Sequence, residues 1–121
     1  MSAPNSREEL LRFLRELDRR LEAEVVLVCF GGTALTLLGA KETSMDIDVI
    51  VSGFRDLEAF FDVYFRTVNE MHLVQDNHPP FTTFSGGDVQ INDFMEKAVP
   101  FKIDGLTHIS VFTFNLVDIL L

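Results

Sequence analysis

The chain holds a single cysteine among 121 residues, which excludes an intrachain disulfide framework and a cysteine-based zinc site. Cys29 sits in the apolar run 25–30, Val-Val-Leu-Val-Cys-Phe, where a free cysteine behaves as a small core residue. Long apolar runs are missing too: no stretch reaches 18 apolar residues, so no membrane anchor is expected. Without disulfides, and without a basic-then-apolar leader, the expected location is the cytoplasm. Basic residues are the other shortage. Ten Lys plus Arg stand against 19 Asp plus Glu, a formal charge of −9, which excludes the broad basic surface that drives binding to duplex DNA. An anionic ligand would need local help.

What is present is apolar material. Hydrophobic residues make up 47% of the chain, with 12 Phe among them, enough for a single compact domain over residues 1–121 that hides roughly two thirds of its unfolded surface. There is no internal repeat and no low-complexity linker. The charge is uneven: in residues 1–22 five arginines balance five acidic residues, so the whole excess of carboxylates lies in residues 23–121.

Periodicity outlines the elements. Ser6-Arg7-Glu8-Glu9 reads as a capping box, and Leu10, Phe13, Leu14, Leu17 and Leu21 continue at helical spacing, predicting a helix over about residues 6–22 with a solvated, alternating-sign opposite face. Residues 25–30 read as a buried strand bounded by Gly31-Gly32. A short helix follows within 31–39, starting near Thr33 and closed by Gly39 in the left-handed conformation. Residues 46–51, Asp-Ile-Asp-Val-Ile-Val, read as a strand whose alternation sets Asp46 and Asp48 on one face and Ile47, Val49 and Val51 on the other. Leu57, Phe60, Phe61, Tyr64, Phe65 and Val68 mark an amphipathic helix over about residues 55–69. His78-Pro79-Pro80 requires a loop. Residues 81–95, centred on Gly86-Gly87, suggest a hairpin, and a strand is expected over 109–114. Asn115 with Asp118 resembles a further helix start.

Two motifs carry chemistry. Two aspartates on one strand face repel each other unless a cation lies between them, and a hard cation such as Mg²⁺ prefers oxygen ligands. Gly31 and Gly32 let backbone N–H groups approach a ligand closely, with the positive end of the next helix directed at it. Together they would hold phosphates by amides and by metal, which is how a chain of charge −9 could bind a nucleoside triphosphate without a basic patch. The alternative is a tight strand-to-helix turn whose glycines only ease packing.

Gly31-Gly32-Thr33, twelve residues, then Asp46-Ile47-Asp48 resembles the signature of the DNA polymerase β-like nucleotidyltransferase superfamily, and within it the small prokaryotic AbiEii-type and related proteins often found in toxin–antitoxin or phage-defence pairs. The strong match covers about residues 25–51. The resemblance implies an α/β (α+β) domain with a mixed or antiparallel sheet backed by helices. It implies that the Gly-Gly-Thr turn holds the triphosphate, that Asp46 and Asp48 bind two Mg²⁺ or Mn²⁺ ions, and that a third carboxylate on a neighbouring strand completes the site. The chemistry would be transfer of a nucleotide from a nucleoside triphosphate to a hydroxyl of an RNA, a protein or a small molecule. Thr33 would hydrogen-bond a phosphate, Lys41 would add a point charge, and Ser44 would fix the loop.

The third carboxylate has two candidate placements. Strict alternation in residues 89–94 groups Gln90 with Asn92 and sets Asp93 among the apolar residues. A β-bulge near Asn92 would turn Asp93 into the site instead. Asp93 is the preferred metal ligand or general base, because an unpaired aspartate on a buried face is costly. The helical segment that such proteins carry after their last strand is not in this sequence, so either the chain is a fragment or a second copy or cognate protein partner covers Ile119, Leu120 and Leu121. The rival to an enzyme is therefore an inactive binding module of the same fold that acts through a protein partner. Other Asp-x-Asp chemistries fit less well: an EF-hand needs oxygen ligands where Asp48 is followed by valine and isoleucine. His72, His78 and His108 lack zinc-ligand spacing and read as loop or surface residues.

Overall fold

The computed structural model describes residues 5–44, 47–53, 56–73, 81–82 and 98–113. The order of elements is β1 (Asn5–Ser6), α1 (Arg7–Arg20), β2 (Val25–Cys29), α2 (Gly31–Leu37), β3 (Thr43–Ser44), β4 (Val49–Ser52), α3 (Leu57–Glu70), β5 (Phe81–Thr82), β6 (Val99–Pro100) and β7 (Ile109–Thr113). This is a mixed α+β fold, with three helices, a two-stranded antiparallel sheet β1-β3 and a five-stranded mixed sheet in the order β5-β4-β2-β7-β6 among the described residues. In the larger sheet β2 runs antiparallel to β4 and parallel to β7, while β4 and β5 are parallel.

The helices form where the apolar stripes predict them. The Ser6 side chain accepts the Glu9 N–H and the Glu9 carboxylate accepts the Ser6 N–H, so the capping box is complete. Ser6 is the cap and Arg7 the first helical residue, and α1 ends at Arg20, two residues short of the expected end. In α3 the Asp56 side chain caps the Ala59 N–H. Its last turn closes through His72 at a φ of 55°, which is exposed, as expected of a surface histidine.

Alternation assigns the core. Val25, Leu27, Cys29, Val49, Val51, Ile109 and Val111, spaced by two along their strands, join one buried cluster with Leu10, Phe13, Leu14 and Leu17 of α1, Ala34 and Leu37 of α2, and Phe60, Tyr64 and Val68 of α3. Phe13 meets Tyr64 edge-to-face at 5.3 Å, which ties α1 to α3.

Around the glycines and aspartates two further boundaries differ from the sequence expectation. The short helix starts at Gly31, not near Thr33, so the glycines are its first turn. The strand expected from residue 46 is assigned from Val49, and Asp48 precedes it. β1, β3 and β6 are two-residue strands that periodicity cannot detect. Pro100 is tolerated in β6 because that strand lies at the edge of the sheet. Beyond β5, the hairpin expected over 81–95 lies outside the described residues, as do the loop around His78, the helix start at Asn115 and the terminal residues Ile119 to Leu121. Among the described residues no helix is long and apolar enough to cross a membrane.

Candidate functional site

The site begins with how two strands end. The β2–β4 ladder pairs Cys29 with Val49, and the Phe30 N–H donates to the Asp48 carbonyl at 3.1 Å. Antiparallel pairing therefore continues one step past the assigned strands and sets Asp48 opposite the residue before the glycines. Ile47 and Val49 are buried and Asp48 between them is half-buried, the in-and-out alternation expected from the sequence. The Asp48 N–H in turn donates to the Thr33 hydroxyl oxygen at 2.7 Å.

Gly31 has a φ of 54°, the left-handed region in which a side chain is strained. A methyl group placed on it would sit 3.1 Å from Asp48 Oδ2. Any side chain at Gly31 would thus crowd the Asp48 carboxylate. Gly32 has no such backbone demand, since its φ is outside the left-handed region, and inside a helix alanine would be favoured over it by about 1 kcal/mol. A methyl group there would meet Ser44 Oγ at 3.2 Å and Lys41 Nζ at 3.5 Å. Ser44 is buried and Lys41 exposed.

Six expected site residues therefore gather in one place, here called the notch: Gly31 against Asp48, and Gly32 against Ser44 and Lys41, with Thr33 behind them. The loop carrying Lys41 and Ser44 is held from outside. Ser44 and Thr43 pair with Asn5 and Ser6 in the small sheet, and Arg7 Nε donates to the Leu37 carbonyl at 2.9 Å, which satisfies one of the free carbonyls at the end of α2. Gly39 follows at a φ of 82° and donates to the Thr36 carbonyl. Asp46, Asn92 and Asp93 lie outside the described residues. Among the described residues no group of three or more His, Cys, Asp or Glu could hold a metal ion.

Cys29 lies immediately below this notch. It is fully buried, and burial, with the Asp48 charge as a smaller cause, pushes its thiol up to about 12. A thiol held neutral in this way is no nucleophile at neutral pH, in line with its expected core role.

The functional group that periodicity did not single out is Asp18. It is 4% exposed, yet its carboxylate accepts the backbone N–H groups of Thr107, His108 and Ile109, at 3.0, 2.7 and 2.8 Å, and the Thr107 hydroxyl. Burial raises its pKa, but these donors outweigh burial and hold the carboxyl below its ordinary value. The signal was present: Asp18 falls four residues after Leu14 and eight after Leu10, inside the apolar stripe and not on the solvated face. Its role is to tie α1 to the start of β7, away from the glycine notch.

Comparison with protein-family models, with curated proteins and with solved structures found no match to this chain.

Proposed function

We propose that this chain is a divalent-metal-dependent nucleotidyltransferase, which moves a nucleoside monophosphate from a nucleoside triphosphate to a hydroxyl of an RNA, a protein or a small molecule. The observation that carries the reading is the close approach of the Gly-Gly turn to Asp48. A methyl group on Gly31 would crowd the Asp48 carboxylate and one on Gly32 would crowd Ser44 and approach Lys41, so the backbone of the turn lies beside a carboxylate, a hydroxyl and a cation together.

The donor set suits Mg²⁺ or Mn²⁺, since Asp48 offers hard oxygen ligands and the motif sets Asp46 two residues before it, with Asp93 as the third acid. When bound, such an ion supplies charge neutralisation at the attacking and leaving oxygens. The chain's own residues have simpler tasks. Gly31 and Gly32 let backbone N–H groups approach an anion closely, Lys41 lends it a positive charge in a protein of net charge −9, and Ser44 offers a hydroxyl donor. A coordinated carboxylate at Asp93 would accept the acceptor's proton.

The test supplies ATP, GTP, CTP and UTP labelled at the α-phosphate, with Mg²⁺ or Mn²⁺, and follows transfer of label to RNA, protein or small hydroxyl compounds. Label transfer that disappears in an Asp46→Ala, Asp48→Ala double variant is the expected result. Absence of both nucleotide binding and product, with the double variant retaining full biological effect, would overturn the reading. A partner complex that survives loss of both aspartates would instead identify an inactive binding module.

A further inference from the structure

Thr33 occupies a place in the notch that differs from the phosphate contact its motif implies. It is 3% exposed, the third residue of α2, and its Oγ1 accepts the Asp48 N–H at 2.7 Å. The Asp48 carbonyl is held by the Phe30 N–H. The segment 30–33 therefore grips both polar groups of the Asp48 backbone from its two ends, while Gly31 between them leaves 3.1 Å between a would-be methyl group and the carboxylate. A buried hydroxyl costs free energy unless it is bonded, and valine would fill the same volume without that cost. Threonine is also stiff at χ1: in a helix its hydroxyl is limited to two rotamers, and the bond from the Asp48 N–H fixes which one is used.

We propose that Thr33 is a positioning residue: by fixing the Asp48 backbone against the Gly-Gly turn, it sets the Asp48 carboxylate for a divalent cation. The inference rests on the nucleotidyl-transfer reading of the notch. It locates Thr33 behind the aspartate and leaves the phosphate-facing side to Gly31, Gly32, Lys41 and Ser44.

The test uses the full chain and Mn²⁺ alone, followed by electron paramagnetic resonance titration, together with amide exchange at Asp48 by NMR. The unaltered chain binds Mn²⁺ with a slowly exchanging Asp48 amide, and D48N weakens that binding. T33V, which removes the acceptor, weakens it by about tenfold or more, the usual effect of losing a group that orients a ligand, while T33S stays within about twofold. T67V removes another fully buried threonine hydroxyl, on α3, and controls for destabilisation by leaving Mn²⁺ affinity unchanged. Wild-type affinity in T33V beside loss in D48N overturns this inference alone. No Mn²⁺ binding by the unaltered chain, or full binding by D48N, overturns the reading of the site as well. Where T33V does not fold, a rapidly exchanging Asp48 amide in the unaltered chain overturns the inference, and a protected one that persists in T33S with near-normal Mn²⁺ affinity upholds it.

Discussion

At the residue scale the two adjacent glycines are not equivalent. Gly31 is required by its backbone, and an L side chain in that left-handed region costs about 1–2 kcal/mol before any crowding of Asp48. Gly32 is not, and an alanine there would meet the buried Ser44 hydroxyl at 3.2 Å and the exposed Lys41 ammonium at 3.5 Å. G31A is therefore expected to lower stability and function together. In G32A a gain in helix propensity of up to about 1 kcal/mol is set against crowding of Ser44, so stability is expected to change little while triphosphate affinity falls, a split that urea unfolding and nucleotide titration would show side by side. Asp18 supports a prediction in pH. Its carboxyl lies lower folded than unfolded, so its contribution is complete above the ordinary aspartate range and is lost as pH falls through the lowered folded value. D18N should cost about 1.5–3 kcal/mol at neutral pH, the range for hydrogen bonds to a charged group. The gap between the two unfolding curves should close only in acid, below about pH 4. A gap independent of pH would mean that shape and not charge holds the 107–109 turn.

At the element scale, α1 and α3 are joined by more than their apolar faces. Arg20 bonds Glu16 within α1 at 2.9 Å and Glu70 on α3, and also reaches the Thr67 hydroxyl at 3.3 Å. Arg19 adds a second contact to Glu16, and the hydrogen bond from Arg19 and the neighbouring Arg20 hold the Glu16 carboxyl down at about 2. These groups are partly exposed, so solvent screens them. R20M is expected to lower stability slightly, with the helices still packed through Phe13 and Tyr64. In high salt most of that difference should vanish in thermal unfolding. The helices were legible in the sequence because amphipathic stripes of five and six apolar residues repeat their signal over about three turns each. β1, β3 and β6 were not, because two residues carry no period, and their pairing depends on partners 37 or more positions away in β1-β3 and on the adjacent strand in β6-β7.

For the whole molecule, the small sheet β1-β3 and the Arg7 contact couple the start of the chain's first helix to the loop that carries Lys41 and Ser44. A ligand in the notch would therefore stabilise more than its own loop. Mn²⁺ with a non-hydrolysable triphosphate at a hundredfold excess over its Kd should add about 2.7 kcal/mol to global stability, seen as a rise of several degrees in Tm. D48N should abolish the rise, and an unchanged Tm in the unaltered chain would count against a ligand there.

Much of this protein follows from sequence alone: the capping box at Ser6, the apolar stripes of α1 and α3, the alternation that sets Asp48 apart from Ile47 and Val49, and the glycine pair after a buried strand. Each of these is local, encoded within a few residues by backbone geometry and hydrophobic period. Only the tertiary structure decided the rest. It placed Asp48 within reach of Gly31, brought Lys41 and Ser44 to Gly32, turned Thr33 onto the Asp48 amide, and buried Asp18 against residues some 90 positions away. Those contacts join segments distant in sequence, and their partners are chosen by strand register and helix packing, which no single segment specifies.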